Sequence, residues 1–145
     1  MIAVLQRVNS ATVEVEGQTI ARINAGLLVL IGVQAEDDQA GMAQMLTRLL
    51  NYRVFADADD KMNLSLVDIA GGLLLVPQFT LAANTRKGRR PSFTSAAPPE
   101  HGRRIFEAMV ELAREQFPGV ESGRFGADMQ IALVNNGPVT FILEQ

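Results

Sequence analysis

An α+β fold, one domain with a mostly antiparallel sheet or barrel and two covering helices, is the architecture the sequence predicts. Three observations point to it. Alternating apolar and polar residues fill both ends of the chain. Residues 38–51 and 99–116 repeat their apolar positions at helical spacing. No linker, internal repeat or low-complexity tract divides the 145 residues. With 48% hydrophobic residues, a chain of this length buries roughly 68–70% of its unfolded surface and needs no metal or disulfide staple.

The elements follow in order. Residues 2–8 and 11–16 read as two short strands, the second alternating Val13 and Val15 against Thr12, Glu14 and Glu16. Glu16-Gly17-Gln18 offers a hairpin turn into a strand at 18–23. Gly26 opens 27–33, an apolar run dense enough for a strand buried on both faces. After Glu36-Asp37-Asp38, the residues Met42, Met45, Leu46, Leu49 and Leu50 mark an amphipathic helix over 38–51, its acids at the dipole-favoured end. A short strand at 52–55, a carboxylate-rich turn at 57–61 and an apolar strand at 73–76 come next. Pro98-Pro99 opens a helix over 99–116 with Ile105, Phe106, Met109, Val110, Leu112 and Ala113 on its apolar side, and Pro118-Gly119 closes it. The chain alternates again over 129–134, turns at Asn135-Asn136-Gly137-Pro138 and finishes as a strand at 139–143.

Composition excludes several chemistries. The absence of cysteine removes disulfides, thiolate metal sites and a Cys nucleophile, and the single histidine, His101, removes a multi-histidine metal site. No G-x-S-x-G elbow, P-loop, H-E-x-x-H or G-x-G-x-x-G is present. Residues 1–8 alternate and carry Arg7, unlike a signal peptide, and the apolar stretches at 26–33 and 71–76 are far short of a membrane helix. A cytoplasmic protein without a membrane partner is expected. Net charge is −3, but four of the thirteen cations (Arg86, Lys87, Arg89, Arg90) fall in 80–99, which holds no acid; the other nine face all sixteen acids. An acidic body with one basic loop suits docking of a polyanion. A solvated charged turn is the alternative.

His101, in Pro99-Glu100-His101-Gly102, reads as an exposed surface residue; a dyad with Ser92 or Ser95 lacks a third, orienting group. Asp57, Asp59 and Asp60 lack the alternation and closing Glu of a calcium loop and read as a solvated turn. Pro77-Gln78-Phe79-Thr80-Leu81 leads from a buried strand into the basic loop, where backbone N–H groups leaving the ladder can form an oxyanion hole. Core roles for Phe79 and Leu81 are the alternative. In Asn135-Asn136-Gly137-Pro138-Val139-Thr140, Gly137-Pro138 is the kind of bond found cis and glycine permits close approach of a ligand; a plain hairpin turn is the other reading.

In combination, Gln78-Phe79-Thr80-Leu81, Arg90-Pro91-Ser92-Phe93, Gly123-Arg124-Phe125-Gly126-Ala127-Asp128-Met129 and Asn136-Gly137-Pro138-Val139-Thr140 resemble the D-aminoacyl-tRNA deacylase family from end to end. The family's S-Q-F-T-L motif departs at Pro77, where Ser is usual; its N-x-G-P-V-T motif is complete, with Asn136 at or beside the leading Asn depending on register. A related deacylase of L-aminoacyl-tRNA also has Pro there, but Ala after the Gln, so Phe79, Val139 and Arg7 favour the D-specific branch.

The resemblance implies a homodimer that hydrolyses the ester of D-aminoacyl-tRNA, and of mischarged glycyl-tRNA, at the 3′-terminal adenosine, with no metal or cofactor. Gly137-Pro138, as a cis pair inserted from one subunit into the other, would reject L substrates, with Arg7 locking its orientation and Asn136 and Met129 also binding substrate. Catalysis is assigned to Gln78, Phe79 and Thr80: backbone N–H groups hold the oxyanion, Gln78 supports the pocket and the tRNA 2′-hydroxyl assists the attacking water. Thr80 is expected not to be an obligatory nucleophile. Arg86, Lys87, Arg89 and Arg90 would contact phosphates of the acceptor stem, and no DNA partner is expected. A non-catalytic nucleic-acid-binding dimer is the competing reading, and a metal hydrolase a distant third.

Overall fold

The computed structural model describes residues 1–86 and 88–145. The expected phosphate contact at Lys87 therefore lies outside the described residues.

The chain opens with β1 (Ile2–Val15), which turns into β2 (Gln18–Ile23), followed by β3 (Gly26–Gly32). The two strands expected at 2–8 and 11–16 are one. β1 pairs first with β3 (Ile2 opposite Gly32 to Val8 opposite Gly26) and then with β2, while β8 (Gln130–Glu144) runs antiparallel along its other side. The β1–β2 turn is the two-residue hairpin Glu16-Gly17, both at positive φ (52° and 77°), a conformation the glycine adopts without steric cost.

α1 (Gln39–Asn51) is capped by Asp38, whose carboxylate accepts from the Gly41 N–H at 2.8 Å. It leads through β4 (Phe55–Ala56), β5 (Met62–Leu64) and α2 (Leu66–Ile69) to β6 (Gly72–Pro77), which lies parallel to β3. Of the strand expected at 52–55, only Phe55 is in a ladder, because Tyr52 closes α1 by donating its N–H to the Leu49 carbonyl. α2 is a third helix, beyond the two expected. Ser65 and Asp68 form its capping box, and the hydrogen bonds from the Ser65 hydroxyl and N–H hold the Asp68 carboxyl below the usual carboxylate range.

A turn of 3₁₀ helix (Phe79–Ala82) follows β6; α3 (Pro99–Gln116) and β7 (Val120–Ser122), parallel to β6, complete the chain before β8. The resulting sheet, β2-β1-β3-β6-β7 with β8 beside β1, curls toward a barrel.

The apolar runs of β3 and β6 are buried on both faces because each strand serves two cores. Leu27, Val29, Ile31, Leu73 and Leu75 pack under α1 and α3, against Met45, Leu46, Leu49, Ile105, Phe106 and Met109. Leu28, Leu74 and Val76 point the other way, into a second cluster with Val8, Val13, Ala21 and Ile23. Full burial of each such side chain contributes roughly 1.5–3 kcal/mol. β3 and β6 approach so closely at one end that a Cβ on Gly26 would stand 2.0 Å from the Gly72 carbonyl oxygen. This rigid pair carries the 3₁₀ turn at its other end.

Candidate active site

Where β6 ends, Pro77 pairs with Ile31, and a residue without an N–H is tolerated because the strand stops there. Gln78 donates its N–H to the Ile31 carbonyl at 2.7 Å and then breaks from the strand with ψ 76°. Its carbonyl accepts the Leu81 N–H at 3.2 Å, the first bond of the 3₁₀ turn. Phe79 and Thr80, ahead of that bond, have N–H groups without an intrahelical acceptor. The turn packs on Gly32, where a Cβ would stand 2.8 Å from that of Leu81. Thr80 is exposed, and its hydroxyl accepts from the Gln78 amide at 2.5 Å.

Phe79 is 56% exposed, contrary to a core role, and its ring lies 5.2 Å from that of Phe93. It walls two adjacent cavities. One, of about 230 Å³, is apolar and includes Pro77, Ala97, Gly102, Phe106 and Phe125 in its lining. The other, of about 270 Å³, runs from Gln78 to Asp128 and Met129. Met129 accepts the Arg124 N–H on its sulfur at 3.4 Å. Gly102 gives the Phe125 ring its place, since a Cβ there would lie 3.3 Å from Cζ. Pro77, Phe93, Gly102 and Phe125 are site residues beyond those given a role in the sequence; Pro77, Phe93 and Phe125 lie in segments singled out there, and the Pro98-Pro99 helix start sets Gly102 in the first turn.

The basic loop adjoins this wall. Asn84 and Ser92 exchange backbone hydrogen bonds (2.7 and 3.1 Å) across its neck, and Arg86, Arg89 and Arg90 are exposed. None of these three arginines forms an ion pair among the described residues.

His101 differs from its expected role. It is half-buried, with Nε2 2.8 Å from the Asp37 carbonyl oxygen and Nδ1 3.0 Å from the Arg104 guanidinium. Ser95 donates to the Ala82 carbonyl and Ser92 pairs with Thr94, so neither joins it in a dyad. Asp57 is occupied by its own turn: the Asn63 amide and the N–H groups of Lys61 and Asp59 hold its carboxyl below the ordinary value.

The second motif lies elsewhere. Between Asn135 and Thr140 β8 advances five residues while β1 advances two, from Val8 to Gln6, so Asn136-Gly137-Pro138 stands out from the sheet as an exposed bulge within one strand. The separate strands and hairpin turn expected there are not formed. Gly137-Pro138 is cis and Gly137 has φ +138°. Two side chains brace the bulge. Arg7 donates Nε to the Asn136 carbonyl at 2.9 Å and Nη1 to the Val54 carbonyl at 2.6 Å. Asn135 accepts the Val139 N–H at 2.7 Å and donates to the Thr140 hydroxyl at 2.9 Å. Asn135 was not among the expected site residues. Its side chain does the bracing, whereas Asn136 contributes its carbonyl.

Within one chain the two motifs are apart. Ile2, opposite Gly32 below the 3₁₀ turn, and Arg7, opposite Leu27 at the bulge, are five residues along the same strand, about 16 Å. Met129 lines a cavity with Gln78 and Phe79, not with Gly137, Pro138, Arg7 and Asn136.

A turn with unbonded leading N–H groups next to an aromatic-walled cavity, with no base on the nearby hydroxyl, has the form of a site suited to positioning and charge stabilisation rather than to a nucleophile. The model of the D-Tyr-tRNA(Tyr) deacylase family matches residues 4–144, and the chain belongs to that family. As a member it is an enzyme, a hydrolase. It is 63% identical over 144 residues, 99% of either chain, to the D-aminoacyl-tRNA deacylase of Pseudomonas aeruginosa (strain LESB58), and 59% identical over the same share to that of Azotobacter vinelandii (strain DJ / ATCC BAA-1303). Among solved structures it is similar to the c-Myc DNA Unwinding Element Binding Protein, with a TM-score of 0.95 and 38% identity over 100% of this chain and 99% of the other. A probable eukaryotic D-amino acid tRNA deacylase shares the fold, with a TM-score of 0.84 at 18% identity over 98% and 97% of the chains. No helix among the described residues is long and apolar enough to cross a membrane.

Proposed function

We propose that the protein hydrolyses the ester joining a D-amino acid to the 3′-terminal adenosine of tRNA, spares the L-amino acid, and also clears mischarged glycyl-tRNA. The observation that carries this reading is the 3₁₀ turn that opens at Phe79: its leading N–H groups, of Phe79 and Thr80, have no acceptor within the turn, and Phe79 itself walls the aromatic cavity. The terminal base stacks between Phe79 and Phe125 in the 230 Å³ cavity. Water, assisted by the neighbouring 2′-hydroxyl, adds to the ester carbonyl; the two N–H groups stabilise the oxyanion; the 3′-oxygen leaves with a proton. The products are free tRNA and the D-amino acid. Gln78 holds the Thr80 hydroxyl and so the turn.

The chiral gate is assigned to Gly137-Pro138 of a second copy, because the bulge lies too far from Phe79 in its own chain. A rigid backbone that binds the α-ammonium leaves an L side chain nowhere to go but into the protein. The edge on which the bulge stands supports a homodimer: among the described strands β8 pairs only with β1, and it exposes Val134 and Ile142 (54% and 65%). Arg86, Arg89 and Arg90 contact acceptor-stem phosphates, and the enzyme works where aminoacyl-tRNA is, in the cytoplasm.

Hydrolysis of matched D-tyrosyl-tRNA and L-tyrosyl-tRNA, with enzyme far below substrate, tests the reading. Fast turnover of the D form alone is the expected result; turnover of both would remove the gate. A second reading, a nucleic-acid binder without turnover, is favoured by the name of the 38%-identical relative, which refers to a DNA element. It requires binding of nucleic acid with neither ester cleaved.

A further inference from the structure

Arg103, the fifth residue of α3, has no part in the site as described so far. Its guanidinium carbon lies 5.3 Å from the centre of the Phe125 ring, which walls both cavities. Gly126, at φ +77°, lies beside it: a Cβ there would stand 3.8 Å from Nη2, an ordinary contact. The acidic neighbour Glu107 is 3.8 Å away, and the two side chains are 47% and 57% exposed, a geometry in which an ion pair contributes little.

Arg103 and Arg124 both line a groove of about 440 Å³ that leads away from Phe125 along α3 and β7. The groove also holds Arg114, Glu111 and Glu121, but Glu121 faces the neighbouring cavity by Gly119 as well, at the far end. At the Phe125 end the two arginines face one acid, Glu107, in the groove. The first turn of α3 opens nearby: Pro98 gives it no side-chain cap, and its exposed acid is Glu100.

We infer that Arg103, with Arg124 beside it, binds the phosphate linking the terminal nucleotide to the one before it, and that this groove receives the single-stranded end of the tRNA. This rests on the reading that the terminal adenosine occupies the aromatic cavity. A base held against Phe125 brings its 5′-phosphate out at the rim of that ring. A guanidinium held over the same ring at cation–π distance keeps its charge at that rim, and its planar fork can grip a phosphate through two bonds. Lysine lacks the fork.

Two substrates separate this role from mere support of the ring. D-tyrosyl-tRNA carries the phosphate; 2′(3′)-O-D-tyrosyl-adenosine lacks it. For Arg103→Ala we expect KM on the tRNA to rise roughly ten-fold or more, as for a lost charge-assisted bond. The value of kcat should stay within about two-fold, and the logarithmic salt slope should fall by about 0.7, as for one single-strand phosphate contact. The adenosine ester should be cleaved as by wild type. Arg103→Lys should restore only part of the tRNA affinity. Equal losses on both substrates, also in Arg103→Gln, would make Arg103 a prop for Phe125 and overturn the inference. So would a variant that matches wild type on tRNA. Wild type cleaving neither substrate would overturn the deacylase reading itself, and this inference with it.

Discussion

The 3₁₀ turn at Phe79–Ala82 and the bulge at Asn136–Pro138 hold their backbone in opposite ways. The first is fixed from below: it grows out of the β3–β6 pair, and its first residue, Phe79, walls an aromatic-lined cavity. The second is convex and fixed from the sides: it leaves an edge strand and is held by Arg7 and Asn135. A hollow and a projection differ in shape as two halves of one site would, and about 16 Å of strand keeps them apart in one chain. That separation is why the proposed function draws one half from each of two copies.

The sharpest way to break this comparison is at Gly137. A Cβ there would stand 2.7 Å from Val139 Cγ2 and 3.1 Å from Arg7 Nη2, at a φ that side chains rarely adopt. Gly137→Ala should lower kcat/KM on D-tyrosyl-tRNA by roughly 100-fold, about 2.7 kcal/mol of transition-state binding. Steady-state kinetics beside a thermal unfolding curve checks this; unchanged turnover in a folded variant would detach the bulge from catalysis. Next comes Arg7→Ala, which removes a charged donor from the Asn136 carbonyl and should cost about ten-fold or more. Restoration by Arg7→Lys should be partial, because one ammonium cannot reach both the Asn136 and the Val54 carbonyls as the fork does.

Neutralising Arg86, Arg89 and Arg90 should weaken tRNA binding and lower the salt slope by about 0.9 per lost duplex phosphate contact, with the D/L preference intact. A filter-binding series in salt reads both. Thr80→Ala should stay within about ten-fold of wild type, since among the described residues that hydroxyl is bonded to the Gln78 amide and to no base. The smallest effect is outside the comparison. Asp57 and Asp68 have lowered folded carboxyl values, so their stabilisation is present above the ordinary carboxylate range and lost as pH falls through the folded values. Asp57→Asn should therefore flatten acid unfolding while leaving neutral-pH stability only slightly lower.

Much of this fold was legible in sequence because its signals are periodic. The runs in β3 and β6, the apolar faces of α1 and α3, and the Glu16-Gly17 turn each declare themselves locally. Where tertiary pairing overrode local signals, sequence reading went astray. β1 is continuous because β8 pairs along both its halves, and β8 continues past Gly137-Pro138 because the ladder resumes at Thr140. The helix α2 carried a readable mark, Ser65 with Asp68 three residues later. β7, three residues long, exists through pairing with β6. At the site, motifs named Gln78, Phe79, Gly137 and Arg7, but not which sit together. The separation of Met129 from Gly137, and the bracing by Asn135 in place of Asn136, depend on register that no single stretch of chain encodes.

Complementation between two inactive variants tests the shared site most directly. Gly137→Ala spoils the projecting half, and Phe79→Ala, by removing a wall of the cavity, spoils the receiving half. Mixed after unfolding and refolding together, random pairing gives half mixed dimers, each with one intact site of two. Activity on D-tyrosyl-tRNA should recover to about a quarter of wild type, given the two-fold symmetry of such pairs. If the mixture stays as inactive as its parents, the site is complete within one chain and the account is wrong.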